Sequence, residues 1–241
     1  MKITALGAGS AFSRPPLYNA SLLVQTKQKR RFMVDCGNTA PMGVENFGLG
    51  IKDLDGIFIT HIHMDHMGGL EEVAFKNMYL FNRHRVPLIA PHTVMKGIEK
   101  RLMPALLKDE TGKLTMDDYF KVKPVEPNKM YRLGDVRYKF IPVEHVQAFK
   151  SFAMYFKTAR RSIFFSADAL FDEKLIKRMA AISDVIIHDA QLFKGGVHCS
   201  LEELKTLPLA IQKKILCHHY GNAYRKFNPA PMKWLKQGQE I

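Results

Sequence analysis

Cysteine is scarce in this chain: only Cys36, Cys199 and Cys217 occur, an odd number at irregular spacing. A disulfide framework is therefore not expected, and the reducing cytoplasm is the expected setting. Long apolar runs are missing too. No stretch approaches the roughly 20 apolar residues of a membrane span, and Met1 to Gly7 is too short an apolar run for a secretory leader. Acidic residues are the third shortage, with 23 Asp and Glu against 36 Lys and Arg and a formal charge of +13. That excess suits a phosphate-bearing partner, and it equally suits a solvated basic surface such as the Lys27 to Arg31 hairpin tip. Repeats, low-complexity tracts and linkers are absent. The 241 residues, 46% of them hydrophobic, are expected to form a single domain spanning 1–241.

What the chain does contain is a dense group of metal-ligand side chains, Thr60-His61-Ile62-His63-Met64-Asp65-His66, followed by Met67-Gly68-Gly69. The apolar run Gly56-Ile57-Phe58-Ile59 before it reads as a buried strand. Gly68 and Gly69 end the loop, and a helix is predicted from Leu70 to Phe81. The ligands would then sit at the C-terminal end of a strand, where open α/β sheets place their sites. Neutral imidazole and carboxylate suit zinc and similar divalent ions. One loop does not close such a site, so further ligands must come from elsewhere.

In chain order, Lys2 to Leu6 reads as a strand. The Gly7-Ala8-Gly9 loop after it fails as a dinucleotide fingerprint, because the third glycine would fall on Phe12. Ser21 to Thr26 and Arg31 to Asp35 read as a hairpin that ends in the turn Asp35-Cys36-Gly37-Asn38, which carries a carboxylate. A strand at Val86 to Pro91 and a helix at His92 to Leu107, kinked near its end by Pro104, follow. The polar segment Lys108 to Asp118 reads as a loop or cap. Strands are predicted at Phe120 to Pro124, Val136 to Pro142, Phe152 to Thr158, Ser162 to Ser166 and Asp184 to His188. Helices are predicted at Asp172 to Ile182 and Ser200 to Leu207, the latter opened by a Ser200/Glu203 capping box. Ile211 to Leu216 leads to Cys217-His218-His219. His145, Asp168 and His218 each follow an apolar β-run, as the opening motif does. Four strand ends thus deliver ligand types, about the number needed by a pair of ions roughly 3.5–4 Å apart with a bridging carboxylate.

His-x-His-x-Asp-His with Gly-Gly behind it, followed by isolated His145, Asp168 and His218, resembles the metallo-β-lactamase fold superfamily, and within it the ribonuclease Z-like phosphodiesterase branch. Gly7-Ala8-Gly9-Ser10-Ala11, Asn19-Ala20-Ser21 and Asp35-Cys36-Gly37 are similar to that branch as well. The resemblance implies an α/β fold, an αββα sandwich of two central mixed sheets flanked by helices. It implies one metal on His61, His63 and His145, a second on Asp65, His66 and His218, and Asp168 bridging them. Two divalent ions are implied, zinc first and manganese as an alternative. His218 is preferred to its neighbour His219 because the Leu216-Cys217-His218 register matches relatives better. Asp65 would orient the attacking water, His198 would contact phosphate or protonate the leaving oxygen, and Asp189 would orient His198.

The chain departs from the branch where Ser166-Ala167-Asp168-Ala169 replaces the common Gly-Asp-Thr. Between His145 and Asp168 there is room only for a hairpin, not for the long glycine- and proline-rich arm of tRNA-processing members. The armless chain is most similar to the cyclic-nucleotide phosphodiesterases of the group that includes phage anti-Pycsar enzymes. That likeness implies a 3′,5′-cyclic nucleotide substrate, pyrimidine ones included, a linear nucleoside monophosphate product, and a homodimer. A tRNA 3′-processing endonuclease is the alternative. Tyr18, Phe149 and Tyr224 are candidate base-stacking rings. His84, His92 and His188 are expected on the surface or in support behind the ligands, and Cys217 is expected to be a small buried strand residue.

Overall fold

Strands that are apolar on both faces dominate the chain, because each of its two sheets is covered on both sides. The computed structural model describes residues 1–106, 112 and 114–241. One sheet has the order β1 (Lys2–Gly7), β2 (Ser21–Gln25), β3 (Arg31–Val34), β4 (Gly56–Phe58), β5 (Pro87–Pro91) and β6 (Lys121–Val125). Its first three strands form an antiparallel meander and the rest run parallel. The other sheet runs from β7 (Tyr131–Leu133) through β8 (Val136–Val143), β9 (Ser151–Lys157), β10 (Ser162–Phe165), β11 (Val185–Asp189) and β12 (Ile215–His218) to β13 (Lys233–Trp234). It too is antiparallel up to β10 and parallel beyond.

Strand β8 shows how period-two alternation builds the layers. Val136, Tyr138 and Phe140 point between the sheets, whereas Ile141 and Val143 point to the outer helix layer. Between the sheets, the Phe58 ring lies 4.8 Å from Tyr138, 6.0 Å from Phe140 and 6.3 Å from Phe156. These rings join β4, which leads into the ligand loop, to the second sheet.

The helices are α1 (Ala40–Asn46), α2 (Met64–Met67), α3 (Leu70–Phe75), α4 (His92–Leu102), α5 (Met116–Tyr119), α6 (Glu173–Ala180), α7 (Leu201–Lys205) and α8 (Leu209–Gln212). In α6 the Asp172 side chain caps the Leu175 amide at 2.9 Å, and Leu175, Ile176 and Met179 bury one face. The expected Ser200/Glu203 capping box is present on α7. None of these helices is long and apolar enough to cross a membrane.

Several boundaries differ from expectation. The helix predicted from Leu70 to Phe81 is α only to Phe75 and continues as a π-helical turn, Lys76–Leu80. The one predicted from His92 to Leu107 stops at Leu102, just before Pro104, and residue 107 lies outside the described residues. Part of the polar segment expected at 108–118 is likewise outside them, but Met116–Tyr119 is a helical turn with a Thr115/Asp118 capping box. Residues 211 and 212, expected to lead straight into a strand, end helix α8. The fold is that of two mixed sheets flanked by helices, as expected. Its parallel strand ends converge on one edge.

Candidate metal centre

The ligand loop leaves β4 through Ile59 and Thr60 and turns into α2, so His61 and His63 precede the helix while Asp65 and His66 lie in its first turns. Close contacts hold the loop against the Cys36-Gly37-Asn38 turn. Cys36 N donates to His66 O at 2.7 Å and Gly69 N to Cys36 O at 2.9 Å. A β-carbon on Gly37 would collide with the Asp65 carbonyl, and one on Gly68 with the Asn38 side chain. Glycine at these positions is what lets the two segments touch.

Asp35, at the end of β3, is fully buried and adopts a left-handed φ of 61°. Its Oδ1 accepts from the Thr60 amide at 2.8 Å, and Thr60 Oγ1 donates to Oδ2 at 2.9 Å. His66 Nδ1 donates to the same Oδ2 at 2.9 Å, which leaves its Nε2 free. Because the Thr60 hydroxyl proton goes to Asp35, Thr60 Oγ1 accepts from His61 Nδ1 at 3.0 Å, freeing His61 Nε2. His145 Nδ1 donates to Val197 O at 2.6 Å and likewise presents Nε2. One carboxylate therefore sets the tautomer of two ligands and a backbone carbonyl sets a third. This outer support is what metal-binding histidines require. Sequence reading singled out Asp35 only as part of a turn; its signal, a carboxylate at a parallel strand end, was there.

The freed nitrogens converge. His63 Nδ1 lies 3.2 Å from His61 Nε2 and 3.0 Å from His145 Nε2, and those two Nε2 atoms lie 3.6 and 3.7 Å from Asp168 Oδ2. A second group shares the same Asp168 oxygen: His66 Nε2 at 3.2 Å and His219 Nε2 at 3.5 Å, with Asp65 Oδ2 3.3 Å from His66 and 3.0 Å from His219. Four ligands at 2.0–2.1 Å around a tetrahedral ion are separated by roughly 3.3–3.4 Å. The spacings in both groups match that edge. Both Asp168 oxygens and His66 Nε2 are buried without a hydrogen-bond partner. A buried carboxylate without a hydrogen-bond partner needs positive charge beside it, from protonated imidazole or from a bound cation. The donor set, nitrogen and oxygen without thiolate, fits divalent ions such as zinc.

Electrostatics divide the two groups. Burial lowers His61, His63 and His145, His63 to about 4, so these imidazoles are neutral and ready to ligate. Burial opposes charge on His66 and His219 as well, but Asp168 and the neighbouring carboxylates override it and raise both, His219 to about 10. Burial would raise Asp65 and Asp168, yet the charged histidines hold both below the usual carboxylate range. In the metal-free chain imidazolium thus supplies the positive charge that the carboxylates demand.

One assignment is corrected. His219, not His218, enters the cluster. In β12, Ile215 and Cys217 face the outer helices, so Leu216 and His218 face inward between the sheets. The His218 ring packs 4.9 Å from Phe165 with neither nitrogen bonded, and burial lowers its pKa to about 3. His219 follows in the left-handed conformation, φ 58°, which swings its ring off the strand's alternation and onto Asp65. Ala167, beside Asp168, has φ 51° and makes the same kind of turn.

His198 and Asp189 also join the cluster. His198 Nδ1 donates to Asp189 Oδ2 at 2.7 Å, and Asp189 Oδ1 lies 3.5 Å from His219 Nδ1. Asp189 ends β11 fully buried, while the His198 side chain retains 21% exposure and borders His145 and His219 at 4.8 Å. Of the candidate stacking rings only Phe149 reaches the site, 4.8 Å from His63. Tyr18 instead accepts from Asn46, and Tyr224 packs on Tyr220 and Trp234. His188 is buried and its Nδ1 donates to the Asp189 carbonyl at 2.9 Å, and His92 pairs with Glu126 on the surface. All three cysteines are buried and unpaired.

Comparison with known proteins shows the fold and the family of the chain. In shape the chain matches the metallo-β-lactamase fold protein YhfI from Bacillus subtilis with a TM-score of 0.79 at 17% identity, covering 100% of this chain and 98% of that one. It matches the short form of human tRNase Z with a TM-score of 0.72 at 16% identity, covering 100% and 98%. The fold is therefore that of the metallo-β-lactamases. An anti-Pycsar protein Apyc1 from Bacillus phage vB_BveM-Goe7 is 34% identical over 253 residues, covering 100% of this chain and 97% of the relative. The sequence profile of the anti-Pycsar protein Apyc1 family matches residues 1–241, and the chain belongs to that family.

Proposed function

We propose that the protein is a two-metal phosphodiesterase that opens 3′,5′-cyclic nucleotides, pyrimidine ones included, to linear nucleoside monophosphates, and so counters Pycsar-type immune signalling. The observation that carries this reading is the Asp168 carboxylate, buried without a hydrogen-bond partner between two ligand groups, in a chain of the Apyc1 family. His61, His63 and His145 would hold one ion and Asp65, His66 and His219 the other, with Asp168 shared. Bound there, zinc or manganese would polarise the phosphoryl oxygens and lower the pKa of a water. Asp65, at the edge of the second group, would accept a hydrogen bond from a water there and orient it for attack on phosphorus. His198 is anchored through Nδ1 by Asp189, so its Nε2 is the atom left to protonate the departing 3′-oxygen. The protein acts in the cytoplasm as a homodimer.

Incubation of the zinc- or manganese-loaded protein with cyclic mononucleotides, a precursor tRNA and bis-p-nitrophenyl phosphate tests the proposal. Turnover of cyclic nucleotides is expected. A tRNA 3′-processing endonuclease is the second reading, favoured by the shape of human tRNase Z. Between His145 and Asp168, however, the chain spends its residues on β9 and β10 and carries no arm. Cleavage of tRNA alone, weakening steeply as salt rises, would replace the first reading with the second.

A further inference from the structure

We propose that Arg101 anchors the anionic phosphodiester of the substrate at the mouth of the metal centre, an inference that rests on the phosphodiesterase reading above. An arginine on a helix surface ordinarily keeps its head group loose in water. Arg101, exposed near the end of α4, is pinned from two sides. Its Nη1 donates to Ile62 O at 2.8 Å, and its guanidinium carbon lies 5.9 Å from the centroid of the Phe149 ring. Both anchors belong to the site. Ile62 is the residue between His61 and His63, and the Phe149 ring lies 4.8 Å from His63 and 6.1 Å from His61.

Helix α4 can deliver an arginine here because it packs very close to the ligand loop. Gly97 is one turn before Arg101 on the same helix face. A β-carbon at Gly97 would stand 3.0 Å from both Cδ1 and Cγ2 of Ile62. Glycine at 97 lets the helix settle, and Arg101 then reaches the loop backbone.

The guanidinium is held but not used up. Of its five N–H donors one goes to Ile62, and among the described residues no carboxylate pairs with it. Its planar fork is suited to two parallel hydrogen bonds with a phosphate. It stands on the side of the cluster made by His61 and His63, whereas His198 stands on the side made by His145 and His219. A phosphodiester lying across the cluster would meet a fixed cation on one flank and a proton donor on the other. A residue needed only to tie α4 to the loop would spend one donor on Ile62 O, and lysine would serve as well.

The test compares the metal-loaded full chain with Arg101→Met and Arg101→Lys. Calorimetry measures binding of inorganic phosphate, and metal content and melting temperature are followed alongside. Steady-state kinetics on a cyclic mononucleotide complete the comparison. Expected for Arg101→Met is unchanged metal content with phosphate affinity lowered about tenfold to a hundredfold, the range set by a charge-assisted hydrogen bond. KM should rise similarly while kcat stays within about threefold, and Arg101→Lys should fall between. Unchanged phosphate affinity in Arg101→Met overturns the proposal, whatever the wild type hydrolyses. Loss of metal or folding in Arg101→Met with full rescue of phosphate binding by lysine also overturns it, because the residue is then a tie and not a fork. Arg101-dependent phosphate binding by a protein inactive on cyclic nucleotides would sink the substrate reading and leave the anchor standing.

Discussion

At the scale of single residues, adjacent histidines have opposite fates. His218 ends a strand and keeps that strand's alternation, so its ring lies between the sheets against Phe165. His219 leaves the strand with a left-handed φ and its ring meets Asp65. Replacing His219 by Ala should remove about one equivalent of metal and abolish phosphodiester hydrolysis. His218→Ala should retain both metals, with a lower melting temperature from the cavity it leaves. Metal analysis of the two variants decides between the assignments. Asp35 is the second residue whose weight exceeds its sequence signal. Asp35→Asn keeps the shape but gives His66 Nδ1 and Thr60 a weaker acceptor. Metal affinity measured by competition with a chromogenic chelator should fall about 10–100-fold, as for other outer-shell partners.

At the scale of elements, the site depends on how closely the ligand loop can be pressed between neighbours. The Cys36-Gly37-Asn38 turn lies on one side and α4 on another, and each contact is made at a glycine. Gly37→Ala would put a methyl group into the Asp65 carbonyl. The expected cost is about 1–3 kcal/mol of stability for an overpacked site, read from urea unfolding, with metal affinity falling in the same variant. The ligand loop itself was legible in the sequence because its four ligands are contiguous and follow an unmistakable apolar run. His145 and Asp168 were legible as isolated residues after apolar β-runs, and Asp189 and His198 only through the family resemblance. The choice between His218 and His219 was not, since it turns on one backbone dihedral, and the mild tolerance of histidine for the left-handed region is common to both neighbours and does not choose between them. Helix ends were missed for a related reason. Lys76–Leu80 continues a helix with π-type bonding, a difference of one hydrogen-bond partner that side-chain periodicity does not encode.

At the scale of the whole molecule, the candidate metal centre draws on both sheets. The ligand loop and Asp35 come from the first sheet, whereas His145, Asp168 and His219 come from the second. Ions that bind only the folded chain stabilise it by mass action, about 4 kcal/mol at a thousand times the dissociation constant. A chelator should therefore lower the melting temperature of the purified protein by several degrees, and added zinc or manganese should restore it. An unchanged transition in calorimetry after verified metal removal would contradict this linkage. The same linkage explains why the metal-free cluster keeps His66 and His219 charged: with two carboxylates buried among them, some cation must be present.

The sequence by itself determined the chemistry on offer: which strand ends carry imidazole and carboxylate, and that no arm interrupts the second sheet. Those are local matters of residue type, alternation and interval length. Only the tertiary structure decided which histidine closes the second group, that Asp35 sets two ligand tautomers, and that Arg101 donates to the Ile62 carbonyl. Each of these depends on segments far apart in the chain coming within a hydrogen bond of one another. Such approaches are set by sheet packing and by the left-handed turns at Asp35, Ala167 and His219, which local sequence preference does not specify.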